Sequence, residues 1–523
     1  MSGDRPQLKT DSLVGGIAML LALTVAQRLI GFARSVLFCR WLDSDQLGQW
    51  DLAYGFLMLA APLAVLGLPG SLGRYAEYYR QRGRIRFFLR QMGAATGLLA
   101  ALTVAIVVWR REWFSDLLFN SREQAGLVAV LAVVLATWIL HTVLVALFNA
   151  LRLTRVVSSL QFCHSVGFAV IGVALLLVFE ANTLGVLWSF AGASLLSSAV
   201  GVVWLARSWG CLPLVPTDPV HESTAESPAP HDEARSMWRQ VLPFALWVWV
   251  ANALANTFGL ADRWMLIHFG GLSEPEALVQ LGQYHSARVV PMLFLGLAEM
   301  LAGLVTPHLA HDWEAGRRDD VSHRLNFILK LFALCLFAGS IVLMLASPLL
   351  FGVALAGKYA TGMTLLPWTL TYFIWGSLAV VATNYLWCAE RARLASFALL
   401  VGLIVNVSLS AWLLPRYGLS GAVWATSAAN FTMLALMYAS AWSCGMRFDR
   451  GVCLSALAPI ALIGGLGTSL SMLLLLVLAF CHESLLFTPE ERQSLTSVVR
   501  RWTRRPGRRP SPTMPTATLP VTK

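Results

Sequence analysis

Long apolar runs, each ended by a short polar turn, recur along the whole chain. A helix that crosses a bilayer needs about 20 mainly apolar residues. Six runs of that kind fill the first part of the chain, at roughly 13–38, 48–68, 91–109, 124–148, 158–179 and 184–205. Six more follow at roughly 241–269, 283–307, 325–350, 365–388, 394–414 and 419–442. The polar stretch between them, 206–237, holds Pro213, Pro216, Pro219, Pro228 and Pro230 and reads as a linker. The pattern predicts an all-α polytopic membrane protein with an N-terminal lobe (1–205) and a C-terminal lobe (238–442), each of six spans.

Short words support the division. Leu47-Gly48-Gln49-Trp50 returns as Leu281-Gly282-Gln283-Tyr284, an offset of 234 residues (281 − 47). Gly185-x-x-Trp188 and Gly421-x-x-Trp424 are related by nearly the same offset, which marks a duplicated unit of about 235 residues. The two lobes are therefore expected to be pseudo-symmetric. Beyond them, 452–481 is apolar but interrupted by Gly464-Gly465-Leu466-Gly467, so it holds either one span or a short pair, giving 13–14 transmembrane helices. Thr488-Pro489-Glu490-Glu491 reads as an N-cap, a first-turn proline and a capping-box glutamate. It opens an amphipathic helix over 488–505, with Leu495, Val498, Val499 and Trp502 on one face and arginines around it, suited to an anionic membrane surface. The tail 506–523 is proline- and threonine-rich and reads as disordered.

Composition agrees with a membrane protein. Of 523 residues, 57% are apolar and 13% charged, where soluble domains run nearer 25% charged. The net charge of +11 does not indicate nucleic acid, because the bases sit in short loops between spans. With the N-terminus cytoplasmic, the inside loops hold 20 arginines and lysines and the outside loops 6. Both termini are thus expected inside, with the chain in the plasma (inner) membrane. No nucleotide-binding loop, cofactor motif or zinc spacing is present, and the outer loops are short. The chain reads as a conduit and not an enzyme, with no cofactor and no metal.

Ionisable groups at bilayer depth are functional candidates. Arg28 and Arg34 lie in the first span, about 120° and about 9 Å apart along a helix. Arg288 and Glu299 lie in the eighth; their spacing of 11 puts them on one face of an unbroken helix, with Pro291 between them to bend it. Asp262 and Arg263, near the end of the seventh span, are read either as a local anchoring pair or as a substrate contact. His141 and His164, in the fourth and fifth, could titrate during transport, or could simply bond between helices. Asp51, just inside the second span, reads as solvated. Bases outnumber acids, which favours an anionic substrate, since guanidinium binds phosphate bidentately and stays charged when desolvated.

The ordered set Arg40-Trp41-Leu42-Asp43, Leu47-Gly48-Gln49-Trp50, Gly67-Leu68-Pro69-Gly70, Asp262-Arg263, Gly282-Gln283-Tyr284 and Leu414-Pro415-Arg416-Tyr417-Gly418 resembles the polysaccharide and lipid-linked oligosaccharide flippases. These belong to the multidrug/oligosaccharidyl-lipid/polysaccharide exporter superfamily, which includes the multidrug and toxin extruders. Arg28-x-x-Gly31-Phe32-x-Arg34 and Tyr284-x-x-x-Arg288 also resemble the lipid II flippase branch. The resemblance implies two six-helix bundles that alternate access to a polyprenyl-pyrophosphate-linked oligosaccharide, moving it from the inner to the outer leaflet. It implies that Arg28, Arg34 and Arg288 hold the pyrophosphate and that Pro62, Pro69, Pro291 and Pro307 relax the helices lining the cleft. Expected partners are the glycolipid, membrane lipids, and the polysaccharide polymerase and glycosyltransferases acting on the same precursor. The alternative is a cation-coupled multidrug or metabolite exporter of the same fold. A membrane-embedded sugar polymerase or ligase fits the short loops less well.

Overall fold

The computed structural model describes residues 13–179, 181–211, 230–481, 486–489 and 491–493. The first lobe comprises α1 (Leu13–Trp41), α2 (Ser44–Ala64), α3 (Leu68–Gln81), α4 (Ile85–Trp109), α5 (Arg111–Phe119), α6 (Ala125–Ala150), α7 (Thr154–Val178) and α8 (Thr183–Ser208). The second comprises α9 (Pro230–Phe269), α10 (Glu274–Arg288), α11 (Met292–Glu314), α12 (Arg318–Leu349), α13 (Ala360–Cys388), α14 (Ala392–Tyr417) and α15 (Leu419–Ser443). Three short helices follow: α16 (Arg450–Leu457), α17 (Ile460–Ile463) and α18 (Leu466–Cys481). No strand occurs among the described residues. Nine described helices are long and apolar enough to cross a membrane, and the bent pair α2–α3 can form a tenth. The molecule is a multi-span membrane protein.

Two spans depart from straight helices. The second bends by 45° between α2 and α3, where Gly67 takes a left-handed φ of 68°. A Cβ on Gly67 would stand 2.4 Å from the Ala245 carbonyl oxygen, so α9 passes directly against the bend. Trp249 on α9 donates its indole N–H to the Leu63 carbonyl at 3.1 Å, satisfying an acceptor near the end of α2. The eighth span is broken between α10 and α11, over Val289, Val290 and Pro291. Proline removes a helix hydrogen bond and crowds the preceding turn. The expectation of one continuous face for Arg288 and Glu299 therefore fails, because they stand on different helices.

The two copies of the repeated tetrapeptide pack against each other. A Cβ on Gly282 would lie 1.8 Å from the Ser44 carbonyl oxygen, and one on Gly48 would lie 2.1 Å from that of Leu278. Only glycine lets α2 and α10 approach so closely. Around this crossing one end of the bundle is shut. Gln283 donates to the Ser44 hydroxyl at 3.3 Å and to the Lys358 carbonyl at 3.0 Å. Lys358 pairs with Asp43 at 3.1 Å, and Tyr359 donates to the Cys39 carbonyl at 2.8 Å. Burial raises the Tyr359 pKa above the ordinary tyrosine range, keeping it a donor.

The expected linker is shorter than its composition suggests, since α9 begins at Pro230; proline is compatible with a helix's first turn. At the other end, α17 and α18 form a tight pair around Gly464 and Gly465, the latter with φ of 91°. The capping box is present: Glu491 accepts from the Thr488 N–H at 2.8 Å, and the Thr488 hydroxyl accepts from the Glu491 N–H at 3.4 Å. Glu491 also joins Asp449 around Lys330, at 2.6 and 2.7 Å. Lys330 is fully buried on α12, and nothing in the apolar pattern of its span announces that role. The amphipathic face from Leu495 onward and the tail lie outside the described residues.

Two outcomes follow. Gly282→Ala forces the crossing apart and lowers stability by about 1–3 kcal/mol, read as a lower Tm in detergent, whereas Gly97→Ala, with open space around it, does not. Lys330→Met leaves Glu491 without its buried cation, and limited proteolysis then cuts the segment after α18 faster than in the unmodified chain.

Candidate functional site

Under the closed end lies a cavity of about 510 Å³, walled by both lobes. From α1 come Arg28 and Arg34, from α2 Trp50, Asp51 and Tyr54, and from α10 and α11 His285 and Glu299. Aromatic side chains of α6–α8 form the remaining wall, with Phe168 packed edge-on to Phe190 at 5.1 Å.

The predicted site residues occupy distinct places. Arg28 reaches across from the first lobe to Glu299 of the second at 3.0 Å, and both side chains are more than half exposed, at 51% and 57%. Their contact marks the cavity mouth. A Cβ on Gly296 would stand 2.8 Å from the Arg28 guanidinium, so the glycine makes room for it. Arg34 lies deeper, its guanidinium 4.0 Å from the centre of the Phe168 ring. It has no ion pair among the described residues, and its Nε is buried without a hydrogen-bond partner. The aromatic face steadies this cation without neutralising it.

Arg288 and Arg263 do not line this cavity. Arg288 Nη1 lies 3.3 Å from Asp51 Oδ2, and Arg263 Nε lies 3.3 Å from the same oxygen. His285 Nδ1 approaches Asp51 Oδ1 at 2.8 Å. Asp51 is 2% exposed, so the reading of it as solvated is corrected: closure of α10 and α9 over α2 removes it from water. Asp262 turns away from its neighbour's side chain and accepts from the Tyr284 hydroxyl at 2.5 Å, which itself lies 3.0 Å from the Tyr372 hydroxyl. On the far side of Arg263 and Arg288, a smaller cavity of about 250 Å³ runs into the second lobe past Asn256, Thr426 and Asn430.

His141 and His164 stack at 4.7 Å between ring centres, beside Trp138. His164 lines the cavity and contacts the Ser194 hydroxyl at 3.1 Å; His141 stands behind it, buried.

The charge arithmetic of the main cavity is simple. Glu299 is paired with Arg28, and Asp51 is shared by Arg263, Arg288 and His285, while Arg34 has no carboxylate partner among the described residues. Sequence reasoning missed Asp51 and His285 as partners, although they are separated by the repeat offset of 234 (285 − 51). The signal was there: residues equivalent in the two copies meet at the crossing, Gly48 with Gly282 and Asp51 with His285.

Removing a partner from a buried ion pair costs about 3–5 kcal/mol, while an exposed pair is worth about 0–1 kcal/mol. Asp51→Ala therefore lowers Tm strongly and Arg28→Ala hardly at all, as thermal unfolding in detergent will register.

A sequence model of the family described as polysaccharide biosynthesis protein matches residues 13–311. Among solved structures, the fold is similar to that of the lipid II flippase MurJ in its inward closed conformation, with a TM-score of 0.66 at 13% identity over 89% of this chain and 98% of that one. An inward-facing multidrug resistance MATE family transporter of the MOP superfamily gives 0.57 at 13% identity, covering 81% and 98%. A MOP superfamily transporter from Pyrococcus furiosus, whose title describes a binding pocket of reverse polarity, gives 0.53 at 12%, covering 82% and 95%. No curated protein matches the chain in sequence.

Proposed function

The chain belongs to the polysaccharide biosynthesis protein family, and from that membership and the chemistry of its cavity we propose that it is a flippase for a polyprenyl-pyrophosphate-linked oligosaccharide. The observation that carries the reading is Arg34, a guanidinium held on Phe168 inside an interlobe cavity with no counter-ion among the described residues. A half-buried charge without a partner is costly, and an anionic substrate would supply one. Arg28, at the mouth, exchanges Glu299 for the same anion, so both lobes sense its arrival. Sugars occupy the rest of the cavity, and the lipid tail stays in the bilayer. With the N-terminus cytoplasmic, as the arginine distribution predicts, the closed end faces outward and the cavity faces the inner leaflet of the plasma membrane. Arg288 holds phosphate only after it parts from Asp51. The polymerase and glycosyltransferases acting on the same precursor are the proposed protein partners.

A cation exporter of the same fold is less well supported, because both acids lining the cavity are already matched by bases.

Losing a hydrogen bond to a charged group costs about 1.5–3 kcal/mol, or roughly 10–100-fold. Arg34→Ala in proteoliposomes accordingly slows translocation of fluorescent lipid-linked oligosaccharide by at least about tenfold, and the double change with Arg28→Ala abolishes it. Undiminished flipping by the double variant would remove the arginines from the mechanism.

A further inference from the structure

Asp51 is bonded wholly to the other lobe. It sits on α2, while Arg263 lies on α9 and His285 and Arg288 on α10. It is thus the ionic lock directly below a crossing at Gly48 and Gly282 that has no side chains to interlock.

The fit of that lock is poor. Both guanidiniums reach a single carboxylate oxygen, each at 3.3 Å, whereas charge-assisted N–H···O contacts run about 2.7–2.9 Å. The Nε of Arg288 is buried with no hydrogen-bond partner, and that of Arg263, although 3.3 Å from Asp51 Oδ2, makes no aligned hydrogen bond. Behind them lies the polar-lined cavity of about 250 Å³, and Asp51 itself faces the main cavity. Tyr54 and Met292 line both cavities, so they are neighbours across a single layer of side chains. Two forked cations with unfilled donors, adjoining space and one short carboxylate suit a larger anion with more oxygens.

We propose that Arg263 and Arg288 form a second anion site which Asp51 occupies in the empty protein, and from which a diphosphate entering by the main cavity displaces it. The inference rests on the anionic-substrate reading above. Its consequence is coupling. Parting α2 from α10 without an anion leaves two buried guanidiniums uncompensated, so the empty protein keeps its closed end shut. With the diphosphate moved from Arg34 to Arg263 and Arg288, the same motion leaves no orphaned charge there.

The test uses the full-length chain in lipid nanodiscs and hydrogen–deuterium exchange of peptides covering residues 39–50 and 276–286. Probes are inorganic pyrophosphate and farnesyl pyrophosphate, applied separately. The unmodified chain should be protected when empty and exchange several-fold faster with diphosphate; a response to both probes assigns the anion alone, and one to farnesyl pyrophosphate only assigns the lipid-borne form. Asp51→Asn should exchange fast without ligand, and Asp51→Glu should resemble the unmodified chain. Protection in Asp51→Asn equal to the unmodified chain, or no response of the unmodified chain to either diphosphate, overturns the proposal. Should Asp51→Asn not fold, the unmodified chain with and without diphosphate decides it. No oligosaccharide is present, so a failure here is distinct from a failure of translocation.

Discussion

At Gly48 and Gly282 two helix backbones touch with no side chain between them, and the placement of the interior follows from that contact. Close approach of α2 and α10 brings Asp51 under His285 and Arg288. It also sets the depth of the cavity, whose roof includes Asp51 and His285 and whose mouth is the Arg28–Glu299 pair. Larger residues at the crossing would separate the lobes and leave the cluster open to water or without partners. Stability at this point therefore comes from backbone proximity, with Asp51 the one carboxylate shared by the buried bases around it.

The cavity's charges are arranged by depth. Near the mouth the bases and acids are half exposed, where water screens them and their pairing is weak. Near the roof they are buried, and their pairing is strong if intact and costly if broken. Arg34 lies between, cushioned by aromatic rings. An anion moving inward would pass from a loosely held base to an unopposed one, and then to two whose partner can be replaced. For the proposed anionic substrate, that gradient would give direction to binding.

Much of this was legible in the sequence for physical reasons. Spanning segments announce themselves because bilayer thickness sets their length, and Arg28 stood out near the middle of the first, with Arg34 nearer its outer end. Asp51 did not, because seven residues from the start of α2 it could as well be wet; its burial depends on a helix 234 positions away. Arg288 and Glu299 were put on one face by ideal periodicity, which Pro291 interrupts. Asp262-Arg263 read either as a local pair or as a substrate contact, yet their side chains serve different neighbours. Long-range contacts of this kind leave a trace only in the repeat, where equivalent positions meet.

Lys330 carries a consequence for synthesis. Its partners are made 119 and 161 residues later. At about 5–20 residues per second, the ribosome needs roughly 8–32 s to reach Glu491 after Lys330 has been made. Until Asp449 is made, α12 holds an ammonium group with neither carboxylate, and until Glu491 is made it has only one. A product truncated before Glu491 would lack one of the two carboxylates that meet the buried Lys330.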